Sequence, residues 1–164
     1  MIDTKQFEGK NIAILGFWLE GKSTLNFLLS NNFAFNKLSV LDMKDQPALQ
    51  ELGISNETWK HYLDHLDQFD VIFKSAGVPY SSELLPYKEK ILTQMQFFFN
   101  TYQGKVITVT ASKWKSTMSS LIFSILKNAG YKVKLVGNIG NPVLEEINFD
   151  EELEHMKGKY AYEN

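Results

Sequence analysis

Two short segments of the chain carry residue types that could bind phosphate. Residues 16–23, GFWLEGKS, fit the phosphate-loop pattern G-x-x-x-x-G-K-[ST], with Gly16, Gly21, Lys22 and Ser23 at its fixed positions. In such a loop, glycines let backbone N–H groups approach phosphate oxygens, the lysine neutralises charge and the hydroxyl can hold Mg²⁺. The pattern therefore predicts phosphate binding here, or else a strand-to-helix turn with a solvated lysine.

The second segment, residues 110–117, reads TASKWKST and lacks glycine. It keeps the Lys-Ser-Thr triplet, but Ala111 and Trp114 stand where glycines would be expected. A Cβ atom at Trp114 resists the positive φ of a phosphate loop, and its indole would take space that phosphate needs. The residues alone favour a non-binding turn, with Trp114 packed on a neighbour.

Three other places could do chemistry, and each has a plain structural interpretation. Asp42 ends the second apolar run, where an acidic residue can hold ribose hydroxyls or simply start a turn. The segment SAG at 75–77 follows the third run, where it is a ligand-binding edge or a tight turn. His61 and His65 have metal-binding spacing but no third ligand, which favours a solvated helix face.

The elements that must position these residues alternate between apolar runs and amphipathic segments. Strands are predicted over KNIAILG, KLSVLD and FDVIFKSAG, and helices over GKSTLNFLLSNN, PALQELG, NETWKHYLDHLDQ and most of SSELLPYKEKILTQMQFFFNTYQG. Within the last of these, QFFF is expected in the core. The alternation predicts an α/β fold, a Rossmann-like parallel sheet with helices on both faces.

A second cycle of the same kind begins at residue 104. It comprises a strand KVITVT, the loop before Lys115, a helix TMSSLIFSILKNAG, a strand YKVKLVG and a short helix opening at Pro142. We therefore predict two domains, 1–103 and 104–164, the second a partial P-loop-type α/β domain. About 60 residues make a thin α/β core, so we expect marginal stability beyond residue 104.

Composition limits the functional classes. The 164 residues carry a formal net charge of −2 and no cysteine, which argues against a broad nucleic-acid surface and excludes disulfides and thiolate metal sites. The N-terminus lacks the apolar stretch of a signal peptide, and no apolar run approaches the roughly 20 residues of a membrane span. We expect a cytoplasmic protein that binds neither nucleic acid nor membrane.

The motifs NIAILGFWLEGKSTLNFLL, DVIFKSAGVPYSSELL and KVITVTASKWKSTMSSLIFSILKNAGYKVKLVGNIGNPVLEEI together resemble the Mur ligase family. The resemblance implies an N-terminal Rossmann-like domain that binds the UDP end of the substrate and a central domain that binds ATP and Mg²⁺. It implies UDP-N-acetylmuramoyl-L-alanine and D-glutamate as substrates, joined through an acyl phosphate in peptidoglycan synthesis.

The resemblance also implies site residues, motif by motif. The UDP-substrate residues it implies are Gly16, Gly21, Lys22, Ser23, Asp42, Ser75 and Gly77. The ATP-binding residues it implies are Lys113, Lys115, Ser116 and Thr117. Lys115 and Asn138 would be catalytic, and Ser116 and Glu163 would hold the metal ion.

The chain departs from the family in its second loop, where both glycines of the ATP motif are replaced. The family pattern also continues past residue 164, so we expect a truncated central domain and no ligase activity from this chain alone. Two alternatives stay open. One is a non-catalytic remnant that binds a UDP-sugar or a protein, and the other is a small P-loop NTPase that uses Gly16–Ser23.

Overall fold

The first apolar run forms the central strand of a parallel sheet. The computed structural model describes residues 3–58, 62–102, 104–137 and 142–146. Its strands are β1 (Asn11–Leu15), β2 (Lys37–Asp42), β3 (Ser55–Thr58), β4 (Val71–Lys74) and β5 (Ile91–Leu92). All of them pair in parallel, in the order β3-β2-β1-β4-β5. The predicted α/β, Rossmann-like fold is confirmed.

The described residues also form five α-helices and two 3₁₀ turns. The helices are α1 (Leu19–Ser30), α2 (Ala48–Glu51), α3 (Gln94–Thr101), α4 (Lys115–Asn128) and α5 (Val143–Glu146), and the 3₁₀ turns span Leu66–Gln68 and Leu85–Lys90. Gly53 and Gly130 follow α2 and α4 with φ of +68° and +86°, which fits the left-handed ends that glycine gives to helices. No described helix is long and apolar enough to cross a membrane.

Each face of the sheet has its own apolar layer, because successive side chains of a strand point to opposite sides. On one face, Phe97 of α3 lies at the centre of an aromatic cluster. Its ring centroid is 5.6–6.1 Å from those of Phe7, Phe27, Phe33 and Phe73. On the other face, the two 3₁₀ turns and the segments beside them contribute to a second cluster. Its buried members are Ala13, Leu15, Leu41, Leu66, Phe69, Ile72, Leu84 and Ile91.

One predicted helix of the first unit is wrong, and another is shorter than predicted. Residues 55–58 form the edge strand β3, and residues 62–68 form turns instead of an amphipathic helix. Residues 85–92 form a 3₁₀ turn and the two-residue strand β5, so that α3 begins only at Gln94. Polar or very short edge strands carry little periodicity of their own, because pairing with the neighbouring strand is what forms them.

The chain divides into two compact units, Met1–Thr101 and Tyr102–Asn164. In the described part of the second unit, the predicted strands at 105–110 and 131–137 are absent, and α4 is the long element. No side chain between residues 104 and 137 is fully buried. A β-strand needs a neighbouring strand to complete its backbone hydrogen bonds. Strand-like composition in these two runs is therefore not enough to form a strand. The substrate and ATP roles assigned to the two predicted domains stay predictions.

Candidate ligand-binding site

The turn between β1 and α1 is built on two glycines that no other residue could replace without movement. Gly16 has φ +86°, and a Cβ atom there would lie 2.6 Å from Val78 Cγ2. A Cβ atom at Gly21 would lie 2.1 Å from the carbonyl oxygen of Gly16. Both distances are far below normal contact, so these glycines allow the start of α1 to pack directly on the end of β1.

Asp42 ties this turn to the end of β2. Its Oδ2 accepts a hydrogen bond from the Phe17 amide at 2.5 Å, and its Oδ1 accepts one from the Lys44 amide at 2.8 Å. The Gly16 amide also donates to the Leu41 carbonyl at 2.8 Å. Asp42, one of the implied UDP-substrate residues, therefore fixes the shape of the loop that holds several of the others.

The segment after β4 closes on the same place. The Ser75 hydroxyl donates to the Gly16 carbonyl at 2.7 Å, and the Ala76 amide donates to Glu20 Oε2 at 2.6 Å. Gly16, Asp42 and Ser75 are thus brought together at the carboxyl ends of three adjacent parallel strands. This edge of an open α/β sheet is where ligands bind.

The outer side of the loop is exposed and offers hydrogen-bond donors. Helix α1 has no side-chain cap at its N-terminus, so its first amide groups carry the partial positive charge that favours an anion. Lys22 is exposed, and its Nζ lies 5.9 Å from the Phe17 ring centroid and 6.0 Å from that of Trp18. Gly77 is also exposed. The surface could hold a phosphate group between the helix end and the β4 turn.

Ser23 does not join this surface. It is 1% exposed, and its Oγ lies 3.1 Å from Nε2 of Gln94, at the start of α3. The same amide nitrogen also donates to Thr24 Oγ1 at 3.2 Å. The hydroxyl predicted to face a ligand instead links α1 to α3.

Three residues that shape the site were missed by the sequence reasoning: Glu20, Lys74 and Gln94. A lysine directly after the buried run VIF was a usable signal, since a charge at a buried strand end needs a partner. Burial lowers the pKa of Lys74, and the nearby Glu20 carboxylate partly opposes that shift. Nothing in the local pattern marked Glu20 or Gln94, because their partners lie 56 and 71 residues away.

The second loop contains a left-handed backbone conformation of the kind that usually requires glycine, although the residue there is Trp114. Trp114, directly before α4, has φ +67°, in the left-handed region. It is 75% exposed, so the expectation that it packs on a neighbour is wrong. Lys115 Nζ donates to the Ala111 carbonyl across the loop.

The other residues predicted around this loop are less constrained. Lys113, Ser116 and Thr117 are exposed. Asn138 and Glu163 lie outside the described residues, so their predicted catalytic and metal-binding roles stay predictions. Among the described residues, no three His, Asp or Glu side chains form a group that could hold a metal ion.

Comparison with known proteins gives a consistent set of relatives, although no protein-family model matches the chain. The relatives include UDP-N-acetylmuramoylalanine–D-glutamate ligases of Acetivibrio thermocellus, Clostridium beijerinckii and Clostridium perfringens. Identities are 31%, 32% and 33%, over 87%, 85% and 87% of this chain. The chain spans about a third of the length of these relatives, 32%, 32% and 33% respectively.

Proposed function

Because this chain is related to the UDP-N-acetylmuramoylalanine–D-glutamate ligases over about a third of their length, we propose that its first unit binds the UDP end of UDP-N-acetylmuramoyl-L-alanine. One observation carries the proposal. The loop at Gly16, the carboxylate of Asp42 and the turn at Ser75 are hydrogen-bonded together at the carboxyl edge of the sheet. The uncapped start of α1 lies in the same loop.

Each part of this edge has a role in the proposal. The first amide groups of α1 and the exposed amide of Gly77 donate to the diphosphate. The Lys22 ammonium neutralises part of its charge. Each oxygen of Asp42 accepts one protein hydrogen bond and keeps a lone pair for a uridine or ribose donor. Ser23 supports the site from inside through Gln94.

A titration followed by NMR tests this proposal. UDP-N-acetylmuramoyl-L-alanine and UDP should both shift the amide signals of Gly16, Gly21 and Gly77, while N-acetylmuramoyl-L-alanine without the nucleotide should not. Lys22→Ala should weaken UDP binding about tenfold, since it removes a charge-assisted contact. Lys10→Ala is the matched control, because Lys10 is exposed at the opposite, amino end of β1. Unshifted signals at Gly16 and Gly21 would contradict the proposal.

We also propose that any ATP site uses the second loop, with Lys115 and Lys113 on the phosphates and Ser116 and Thr117 at the helix start. Helix α4 begins there without a side-chain cap, and Trp114 keeps the left-handed backbone that such a loop needs. Ser116 is the one described residue of the predicted metal pair, so the described donors do not make up a Mg²⁺ site, and no step is derived through the metal.

Calorimetry with Mg-ATP tests this second site. Heat at millimolar ATP that disappears in Lys115→Ala and persists in Lys127→Ala, at the far end of the same helix, would support it. Wild-type protein that gives no heat would exclude it.

We propose that this chain alone binds substrate without joining it to D-glutamate. The support is the loss of both glycines from the second loop and the lack of a buried core between residues 104 and 137. A phosphate-release assay with UDP-N-acetylmuramoyl-L-alanine, D-glutamate and ATP should give no turnover above background; sustained turnover would refute this part.

The P-loop NTPase alternative at Gly16–Ser23 has less support. It requires the Ser23 hydroxyl at a metal ion, and that hydroxyl is buried against Gln94.

A further inference from the structure

Lys74, the last residue of β4, holds a charged group inside the first unit. It is 6% exposed, although lysine is almost never buried without a partner. Its Nζ donates to the carbonyl oxygens of Ser75 at 3.2 Å and Val78 at 2.5 Å. The same atom lies 4.6 Å from the centroid of the Tyr80 ring. The ammonium is therefore surrounded by the segment that directly follows it in the chain.

The same segment, which we call the β4 turn (residues 75–78), is held from its other side by α1 and the loop before it. The Ala76 amide donates to Glu20 at 2.6 Å, and the Ser75 hydroxyl donates to Gly16 at 2.7 Å. Lys74 and Glu20 thus hold the β4 turn by opposite kinds of hydrogen bond. The Lys74 ammonium donates to carbonyl oxygens of the turn, and the Glu20 carboxylate accepts from the Ala76 amide.

One amide of the β4 turn remains available. With the carbonyls directed to Lys74 and the Ala76 amide directed to Glu20, the Gly77 amide has no hydrogen-bond partner among the described residues. A Cβ atom built on Gly77 would meet nothing within 4 Å, so the space beside it is open. An exposed amide on a turn fixed at both sides is preorganised to donate to an anion.

We propose that Lys74 is a positioning residue, whose buried ammonium sets the β4 turn so that the Gly77 amide meets the diphosphate of a UDP ligand. This inference rests on the proposed function of the first unit. Lys74 acts through the β4 turn, because its ammonium donates to the Ser75 and Val78 carbonyl oxygens of that turn. Its effect should therefore fall on the diphosphate and spare the uridine, which lies towards Asp42.

The test compares two variants with wild type. Lys74→Met fills the same space without any donor, and Lys74→Gln restores an uncharged donor group towards the carbonyl oxygens. Folding is measured by urea denaturation, and affinities for UDP and for uridine are measured by NMR titration. We expect Lys74→Met to lose about tenfold in UDP affinity, the effect of one charge-assisted hydrogen bond. Uridine affinity should stay unchanged, and Lys74→Gln should recover part of the loss.

The outcomes separate the inference from the proposed function. If wild type binds UDP and both variants bind it equally well, the inference is overturned and the proposed function stands. If UDP and uridine affinities fall together, Lys74 has a general structural role, which also overturns the inference. If wild type binds no UDP, the proposed function fails and the inference fails with it. Should Lys74→Met not fold, the same comparison is made with Lys74→Gln against wild type.

Discussion

Replacing Gly21 by alanine is a sharp test of how the β1–α1 turn is built. In an ordinary helix this change stabilises by about 1 kcal/mol, because alanine has the higher helix propensity. Here the new Cβ would lie 2.1 Å from the Gly16 carbonyl oxygen, where real Cβ atoms stay beyond 3.0 Å. The obstacle is backbone, so no side-chain rotation relieves it, and α1 must move by about 1 Å.

Overpacking of this kind costs up to about 3 kcal/mol, and the helix-propensity gain offsets about 1 kcal/mol of it. We therefore expect Gly21→Ala to destabilise the first unit by about 2 kcal/mol. For a unit of this size that lowers Tm by about 10 °C. Urea denaturation, with native-state hydrogen exchange of the Ile14 amide, measures the change in the first unit itself.

Asn26→Ala is the matched control, because Asn26 is exposed on the same helix. It should stabilise by a few tenths of a kcal/mol through propensity alone. Gly21→Ala protein as stable as wild type, or more stable, would refute the close approach of α1 to β1.

Other predictions concern the core, the second loop and the buried lysine. Phe97→Ala should lower the free energy of unfolding by about 3–5 kcal/mol. Phe99→Ala, at a side chain that is 46% exposed, should lower it by less than about 1 kcal/mol. Equal losses of unfolding free energy, measured by denaturant titration, would contradict the aromatic cluster. The Trp114→Gly variant should be more stable than Trp114→Ala by about 1 kcal/mol, since only glycine avoids the strain of positive φ. Amide hydrogen exchange in α4 measures this difference. Equal protection of the α4 amides in the two variants would argue against the left-handed backbone at residue 114. Burial lowers the pKa of Lys74 below 10.5, so just below pH 10.5 the unfolded chain binds more protons than the folded one. The contribution of Lys74 to the free energy of unfolding should therefore increase with pH in that range. Urea midpoints measured across alkaline pH should show this increase in wild type and not in Lys74→Met.

The three inner strands, β2, β1 and β4, were predictable because their residues are almost continuously buried. Runs such as NIAIL and KLSVLD satisfy the composition of interior parallel strands by themselves. The edge strands were not predictable in this way. Ser55 in β3 has no apolar pattern to announce it, and its strand character comes from pairing with Ser39 on β2.

In the second unit the strand predictions were wrong for the opposite reason: the composition indicates strands that the structure does not form. The runs KVITVT and YKVKLVG have strand composition, yet neither forms a strand in the part of the chain that the structure describes, where Val136 makes only an isolated β-bridge. The helix between them was predictable, since α4 satisfies its backbone internally and ends before Gly130.

The sequence by itself determined the local features of the site: the two glycines of the first loop, the helix that follows, and the carboxylate at the end of β2. These depend on residues close in the chain, whose backbone preferences are readable one at a time. The tertiary structure decided which groups face outwards. Packing of α3 against α1 buries Ser23 on Gln94, and a turn 56 residues away occupies Glu20. Such choices depend on contacts between distant segments, and no local pattern encodes them.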